Sequence, residues 1–330
     1  ITREDIFPQA LILANTHELA IQIHVVTTEL SRYMNISICL CIGGLENDNT
    51  IEKNNIIAKR SQVLIGTPGR LNGLINMFPN IVQQIKILIF DEADQLLSRN
   101  FIDQTQNIIK NIPKTTQICL FSATTNSRNV QDTKENFMSN PVEIYVEKEQ
   151  IKLDMIKNYI VNVENEKNKF DIITDLYNNI NICQSVIFVN SINRATKLVQ
   201  RLREAGHTAI GLIHGQLFDC ERIRILKKFR NTFIRILIAT DVMARGIDIQ
   251  TVGLVINYDI PKSKGVEEQY IHRVGRSGRY GKLGVAINIL TNDKYEWLRI
   301  KSISIKYDIQ FNNLPSLKNI CYYLSGINGY

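Results

Sequence analysis

At 330 residues, 44% of them apolar and 22% charged, the chain has the make-up of an ordinary globular protein and is long enough for two domains. No apolar run approaches a membrane span and no secretory signal opens the sequence, while six cysteines without paired CxxC spacing read as reduced, structural thiols of an intracellular protein. The net charge of +7 is unevenly divided: residues 1–147 carry 12 Lys+Arg against 15 Asp+Glu (−3), and residues 148–330 carry 27 against 17 (+10), which suits a polyanionic partner or simply a solvated basic surface.

Short β-rich runs alternate with helical stretches along the whole chain, the pattern of an α/β fold whose parallel sheets are covered by helices. In the first half, strands are expected near Ala10–Ala14, Ile36–Ile42, Gln62–Gly66, Ile85–Phe90, Gln117–Phe121 and Val142–Val146. Thr67-Pro68-Gly69-Arg70 follows the third of these and opens a helix. Its backbone N–H groups and the Arg70 guanidinium suit a phosphate or sugar backbone; a plain helix start with proline in the first turn explains the same residues. Asp91-Glu92-Ala93-Asp94 stands directly after the apolar run Ile85–Phe90, at the sheet edge where ligands bind in parallel α/β folds. Two acids there suit a metal–phosphate task, Asp91 holding Mg²⁺ through water and Glu92 orienting or deprotonating an attacking water. Taken alone, the tetrapeptide reads more readily as a solvated turn. Ser122-Ala123-Thr124 follows the next strand, where two hydroxyls could bond the acidic site or merely cap a helix.

The polar stretch Glu147-Lys148-Glu149-Gln150 reads as a hinge, giving domains at 1–147 and 153–330 with a linker at 148–152. Strands are then expected near Tyr159–Val163, Ser185–Val189, Thr208–Leu212, Arg235–Ala239, Leu254–Asn257 and Val285–Leu290. After Arg235–Ala239 come Thr240-Asp241 and Ala244-Arg245-Gly246-Ile247-Asp248, in which Gly246 permits close backbone approach, Thr240 can meet a phosphate and Asp248 a ribose hydroxyl. His272-Arg273-Val274-Gly275-Arg276-Ser277-Gly278-Arg279 packs three arginines and a histidine into eight residues, a density suited to stabilising a transferring phosphoryl group across a cleft.

In this order the pieces resemble the DEAD-box RNA helicases over nearly the whole chain. The resemblance rests on Asn15–Ala20, Gly43-Gly44, Thr67–Arg70, Asp91–Asp94, Ser122–Thr124, Val186–Ser191, His214-Gly215, Thr240–Asp248 and His272–Arg279. Cys41-Ile42-Gly43-Gly44, Leu97-Ser98-Arg99 and Tyr270–Arg273 followed by Tyr280-Gly281-Lys282 look nearest to the translation initiation factor 4A branch. The resemblance implies two RecA-like lobes, ATP and Mg²⁺ as cofactors, and RNA, single-stranded or short duplex, as a partner bound with little sequence preference. It implies Asp91 as the metal-positioning carboxylate and Glu92 as the catalytic base. Arg276 and Arg279 would reach the γ-phosphate, with His272 linking that site to Ser122, Thr124 and Asp94. Gly246 and Asp248 would meet the nucleotide. Thr16, Gly44, Thr67, Gly69 and Arg70 would line RNA from one lobe, and Gly215, Arg222 and Thr240 from the other. It further implies a monomer, a cytoplasmic or nuclear location without membrane contact, and helicase-regulating scaffold proteins as further partners.

The departures from the family are specific. A glycine-rich phosphate loop and an adenine-reading glutamine motif are expected upstream of Asn15, and neither occurs in the sequence; the only Gly-Lys pair is Gly281-Lys282. Beginning at Ile1 rather than Met, the sequence reads as cut upstream, with a first lobe short of a strand and left with an open edge or apolar patch. The 330 residues as they stand are therefore expected to be ATPase-deficient, and a non-enzymatic RNA-binding or scaffold protein is the alternative reading. Asn15 and His17 stand where the family prefers Pro and Arg, and Asp219 replaces the usual Gln three residues before Arg222.

Overall fold

In parallel sheets both faces are covered, so each strand reads as a short, continuous apolar run, and both sheets of this protein are built that way. A computed structural model describes residues 1–2, 4–44, 48–123, 128–145, 155–179, 182–241, 252–262, 265–278 and 283–314. The chain divides into two units, Ile1–Ile144 and Tyr145–Tyr330.

The first unit runs β1 (Ala10–Leu13), α1 (His17–Leu30), β2 (Ile38–Cys41), α2 (Asp48–Lys59), β3 (Val63–Gly66), α3 (Pro68–Met77), β4 (Ile87–Phe90), α4 (Ala93–Leu96), α5 (Ile102–Asn111), β5 (Gln117–Leu120) and α6 (Arg128–Phe137). Its five strands pair in parallel in the order β2-β3-β1-β4-β5. Leu11, Leu13, Leu64, Leu88 and Phe90 fill one face against Leu71, Leu74, Leu96 and Ile108; Ala10, Ile65 and Val63 meet Leu19 and Ala20 of α1 on the other.

The second unit runs β6 (Ile156–Asn162), α7 (Asn168–Asn179), β7 (Ser185–Phe188), α8 (Ile192–Glu204), β8 (Ile210–Ile213), α9 (Asp219–Arg230), β9 (Ile236–Ala239), β10 (Leu254–Asn257), α10 (Val266–Val274), β11 (Gly284–Leu290), α11 (Lys294–Tyr307) and β12 (Phe311–Asn313). Its seven strands, again all parallel, lie in the order β12-β6-β11-β10-β7-β9-β8. The fold class is thus two parallel α/β lobes in tandem, as the sequence implies.

Two expectations fail locally. Residues 142–145, expected to begin a strand, join no sheet; Val142 and Ile144 are 90% and 88% exposed. An alternating pattern becomes a strand only where a neighbouring edge accepts its hydrogen bonds, and among the described residues β5 pairs with β4 alone. Phe121, just after β5, is likewise 58% exposed. Conversely, β12 lies outside the expected strands; its three residues become a strand by pairing with Asn158–Ile160 of β6.

A buried ion pair ties α7 to α11. The Lys169 ammonium, fully buried, donates to the Tyr258 carbonyl at 3.0 Å and to Glu296 Oε1 at 3.3 Å, while Glu296 Oε2 accepts from Thr291 N and Oγ1 at 2.8 and 3.0 Å. Removing one partner strands the other charge away from water. Lys169→Ala should therefore cost about 3–5 kcal/mol, whereas Lys169→Met with Glu296→Leu should cost clearly less. Trp297, the single tryptophan, adjoins Glu296, so its fluorescence in a urea titration reports the unfolding of this unit.

Candidate functional site

The acidic turn is built by the ends of β4 and β5. Asp91 N donates to Leu13 O at 3.0 Å, extending the ladder by one residue beyond β4. Glu92 then takes a left-handed conformation (φ 54°, ψ 52°) and reverses the chain into α4. For a non-glycine residue that conformation costs on the order of 1 kcal/mol, and the surrounding bonds hold it. Glu92 N donates to Asp91 Oδ1 at 3.0 Å and Ala93 N to Phe121 O at 2.9 Å, so the turn is fastened to the strand on either side. Asp94 accepts from Ser122 Oγ at 3.0 Å and from Gln95 Nε2 at 2.8 Å. The acidic tetrapeptide and Ser122 therefore form one hydrogen-bonded group. Thr124 lies outside the described residues.

Burial raises the Asp91 carboxyl above its ordinary range, and the hydrogen bond from Glu92 N only partly offsets this. A half-buried carboxylate with one backbone donor is a place where a cation gains. Among the described residues there is no group of three or more His, Cys, Asp or Glu side chains able to hold a metal. A single carboxylate fits Mg²⁺ nevertheless, because that ion keeps most of its waters and takes other ligands from substrate phosphates.

The remaining first-unit candidates occupy the other part of the same edge. Thr16, after β1, is the N-cap of α1, its Oγ1 accepting from Leu19 N at 3.2 Å. Gly44, after β2, has φ 74°, which favours glycine. Thr67, after β3, is buried and caps α3, with Pro68 in the first turn. The backbone before it packs closely: a Cβ on Gly66 would fall 2.0 Å from Cys41 O. Gly69 is exposed, although a Cβ there would come within 3.6 Å of Gln104 Oε1, and Arg70 Nη2 donates to Asn55 Oδ1 of α2 at 2.8 Å. Along the sheet edge the groups thus fall in the order Gly44, Thr67–Arg70, Thr16, Asp91, Ser122. The backbone-binding candidates sit on β2, β3 and β1, and the acidic group on β4 and β5.

The second unit repeats this partition. Gly215 follows β8, Arg222 lies on α9 and Thr240 follows β9; Thr240 is buried and its N–H donates to Ile213 O at 3.2 Å. His272 lies in the last turn of α10, and Arg276 just beyond it donates from Nε to His272 O at 3.0 Å. Gly246, Asp248 and Arg279 fall outside the described residues. One arginine of the cluster departs from the expected cleft role. Arg273 is fully buried and donates to Asp241, to Asn257 Oδ1 at 3.3 Å, to Asp259 O at 2.7 Å and to Asn190 Oδ1 at 3.0 Å. Burial lowers its pKa and the Asp241 carboxylate opposes that, so it is a tie between strand ends rather than a group presented to phosphate.

Sequence reasoning also missed Arg194 and Asp259. Arg194 Nε donates to Asp259 Oδ2 at 2.9 Å and its Nη2 to Glu166, while Asp259 Oδ2 also accepts Asn190 N at 2.9 Å. The available signal was positional: Asn190, Asp241 and Asp259 each stand two residues beyond a buried strand.

No helix among the described residues is long and apolar enough to cross a membrane. The DEAD/DEAH box helicase signature matches residues 2–133, and that of the helicase conserved C-terminal domain matches residues 168–281. Eukaryotic initiation factor 4A of Caenorhabditis elegans is 40% identical over 96% of this chain and 76% of its own length. ATP-dependent RNA helicase eIF4A of Candida glabrata is 44% identical over 94% of this chain and 75% of its own. Among solved structures, S. cerevisiae Dbp5 bound to RNA and ADP BeF3 matches 99% of this chain and 83% of its own, with a TM-score of 0.87 and 33% identity. A point variant of Dbp5 bound to a point variant of Gle1 and IP6 matches with a TM-score of 0.80, also at 33% identity, over 98% of this chain and 82% of its own. Carrying both signatures in order, and more than two-fifths identical to one of these relatives over most of its length, the chain belongs to the DEAD-box family of ATP-dependent RNA helicases.

Proposed function

We propose that the protein grips RNA by its phosphate–sugar backbone and couples that grip to ATP hydrolysis, with Asp91 as the carboxylate that holds Mg²⁺ and Glu92 as the base that activates water. The observation that supports this reading is the division of the first sheet's edge: the candidate glycines, threonines and Arg70 follow β1–β3, and the Asp91–Glu92–Asp94–Ser122 group follows β4 and β5. When bound, Mg²⁺ supplies charge neutralisation at the phosphates. The protein residues orient the turn: the left-handed backbone at Glu92 turns the chain into α4, and Ser122 holds Asp94. In the second unit, Arg276 and Arg279 neutralise charge on the γ-phosphate, Gly246 and Asp248 meet the nucleotide, and His272 couples this group to Ser122, Asp94 and Thr124.

Thr16, Gly44, Thr67, Gly69 and Arg70 contact RNA in the first unit, and Gly215, Arg222 and Thr240 in the second. Contacts of this kind carry no direct sequence information. Selection of RNA then falls to location or to protein partners; the relative Dbp5 is seen with Gle1, which makes a helicase-regulating partner a reasonable class here.

The 330 residues contain no Gly-x-x-x-x-Gly-Lys-[Ser/Thr] segment. That segment provides the backbone cradle and lysine which position the phosphates, so without it several kcal/mol of positioning and electrostatic stabilisation are absent. Purified residues 1–330 should release phosphate from ATP no faster with RNA than an Asp91→Ala control; turnover abolished only in the control would reveal another phosphate cradle. In a form extended by a phosphate loop, Glu92→Gln should lower kcat by about 10²-fold or more while RNA affinity stays within about twofold. Turnover that survives this change removes Glu92 from the role of base.

RNA binding by residues 1–330 should persist and weaken steeply with salt, by a log–log slope of about −0.7 for each phosphate contact on a single strand. Scrambled strands of equal length should bind within about threefold of one another in fluorescence anisotropy. A large spread of affinities would mean that bases are being read.

A further inference from the structure

Two guanidiniums stand among the residues proposed to meet RNA, and the fold treats them differently. Arg70 is held by a neutral acceptor, the Asn55 side-chain amide, so its full charge remains to be offered to a phosphate. Arg222 is held by a carboxylate. Asp219, one turn earlier on α9, forms an i,i+3 ion pair between its Oδ1 and Arg222 Nη2. The pair is no loose surface contact, since the two side chains are only 14% (Arg222) and 28% (Asp219) exposed. Glu221 adds a second acid to the same first turn, and the exposed Gly215 and Gln216 lie just before it on the loop from β8. At the one point where the second unit offers a guanidinium to RNA, its charge is therefore locally cancelled.

A stabilising explanation exists for the acid. Asp219 and Glu221 lie at the helix N-terminus and Lys227, Lys228 and Arg230 in the last turn, the arrangement that favours the helix dipole. That accounts for an acid in the first turn. It does not require the acid to engage Arg222, since the dipole favours a carboxylate in the first turn whichever side chain it faces.

We infer that Asp219 limits RNA affinity: its carboxylate occupies the Arg222 guanidinium, and an RNA phosphate must share or displace it. This rests on the reading of Arg222 as an RNA contact. Neutralising Asp219 frees a cation and removes a like charge from the path of the phosphate, so affinity should rise. It also adds about one effective phosphate contact, so the salt dependence should steepen by about 0.7 in log–log slope.

The experiment measures binding of a fluorescein-labelled polyuridine strand to residues 1–330 across a salt series, for wild type, Asp219→Asn, Arg222→Ala and the double variant. Asp219→Asn should tighten binding by about threefold to fivefold at low salt, the scale of an ion pair of this exposure. That gain should vanish when Arg222 is alanine, and Asp219→Glu should bind like wild type. Asp219→Ser, which keeps a helix-starting side chain, replaces Asp219→Asn if Trp297 fluorescence shows the latter to be unfolded. An equal gain in the Arg222→Ala background would overturn the inference, because the effect would then be diffuse charge alone. No gain from Asp219→Asn, with Arg222→Ala still weakening binding, would overturn it while leaving Arg222 as an RNA contact. An Arg222→Ala variant that binds like wild type in every background would refute that underlying reading instead.

Discussion

Parallel pairing is the constraint on which the rest of this structure depends. Among the described residues, each of the twelve strands runs in the same direction as its neighbours within its own sheet. Every strand therefore delivers its C-terminal end, and the residues just after it, to one edge. Residues as distant in sequence as Thr16, Thr67, Asp91 and Ser122 are thereby brought to that edge. The order of strands, rather than the order of motifs, then decides which chemistry adjoins which. Because β1 lies between β3 and β4, the helix start at Thr16 separates the Thr67–Arg70 turn from the acidic turn.

In the second unit a single guanidinium fixes that edge. Arg273 reaches Asn190 beyond β7, Asp241 beyond β9 and Asp259 beyond β10, three strands that are adjacent in the sheet. It also lies 5.1 Å from the centre of the Phe188 ring, an apolar neighbour that raises the cost of leaving any donor unpaired. Asp259 passes the constraint onward through Arg194 to Glu166 and lies 3.9 Å from Lys169. A buried network of this kind stabilises little compared with an apolar core of equal volume. What it does is fix the end of α10, where His272 and Arg276 lie, against the strand ends, that of Thr240 among them.

The sequence made the strands legible for the same reason that it made the sites legible. Runs such as Leu254–Asn257 and Ile236–Ala239 are buried on both faces, and a polar residue appearing at the end of such a run marks the edge. Pattern reading fails where a partner decides the outcome. Val142-Glu143-Ile144 alternates as a strand should, yet no edge receives it among the described residues; Phe311–Asn313 has one apolar residue and is a strand because β6 accepts it. Arg273 fails for a related reason. In the string His272-Arg273-Val274-Gly275-Arg276 its guanidinium is chemically the same as that of Arg276, which is also buried, and only the hydrogen bonds of Arg273 to residues beyond β7, β9 and β10 set it apart.

Charge is the property that the sequence exaggerates most. The +10 of residues 148–330 suggests a cationic grip on RNA. At the strand ends, however, Arg273 is engaged by Asp241, Arg194 by Asp259 and Glu166, Lys169 by Glu296, and Arg222 by Asp219. These pairs cancel locally, so the surplus must reside elsewhere. It lies on solvent-facing helix surfaces, in side chains such as Lys197, Arg201 and Arg203 of α8 and Lys227 and Lys228 of α9, all of them exposed. Charges placed there act over a Debye length of about 8 Å at physiological ionic strength and raise the rate at which a polyanion arrives. They hold no defined phosphate. On the proposed reading, steering and gripping fall to different residues: the helix faces would attract RNA without selecting its position, and the strand-end turns would fix that position with few charges of their own.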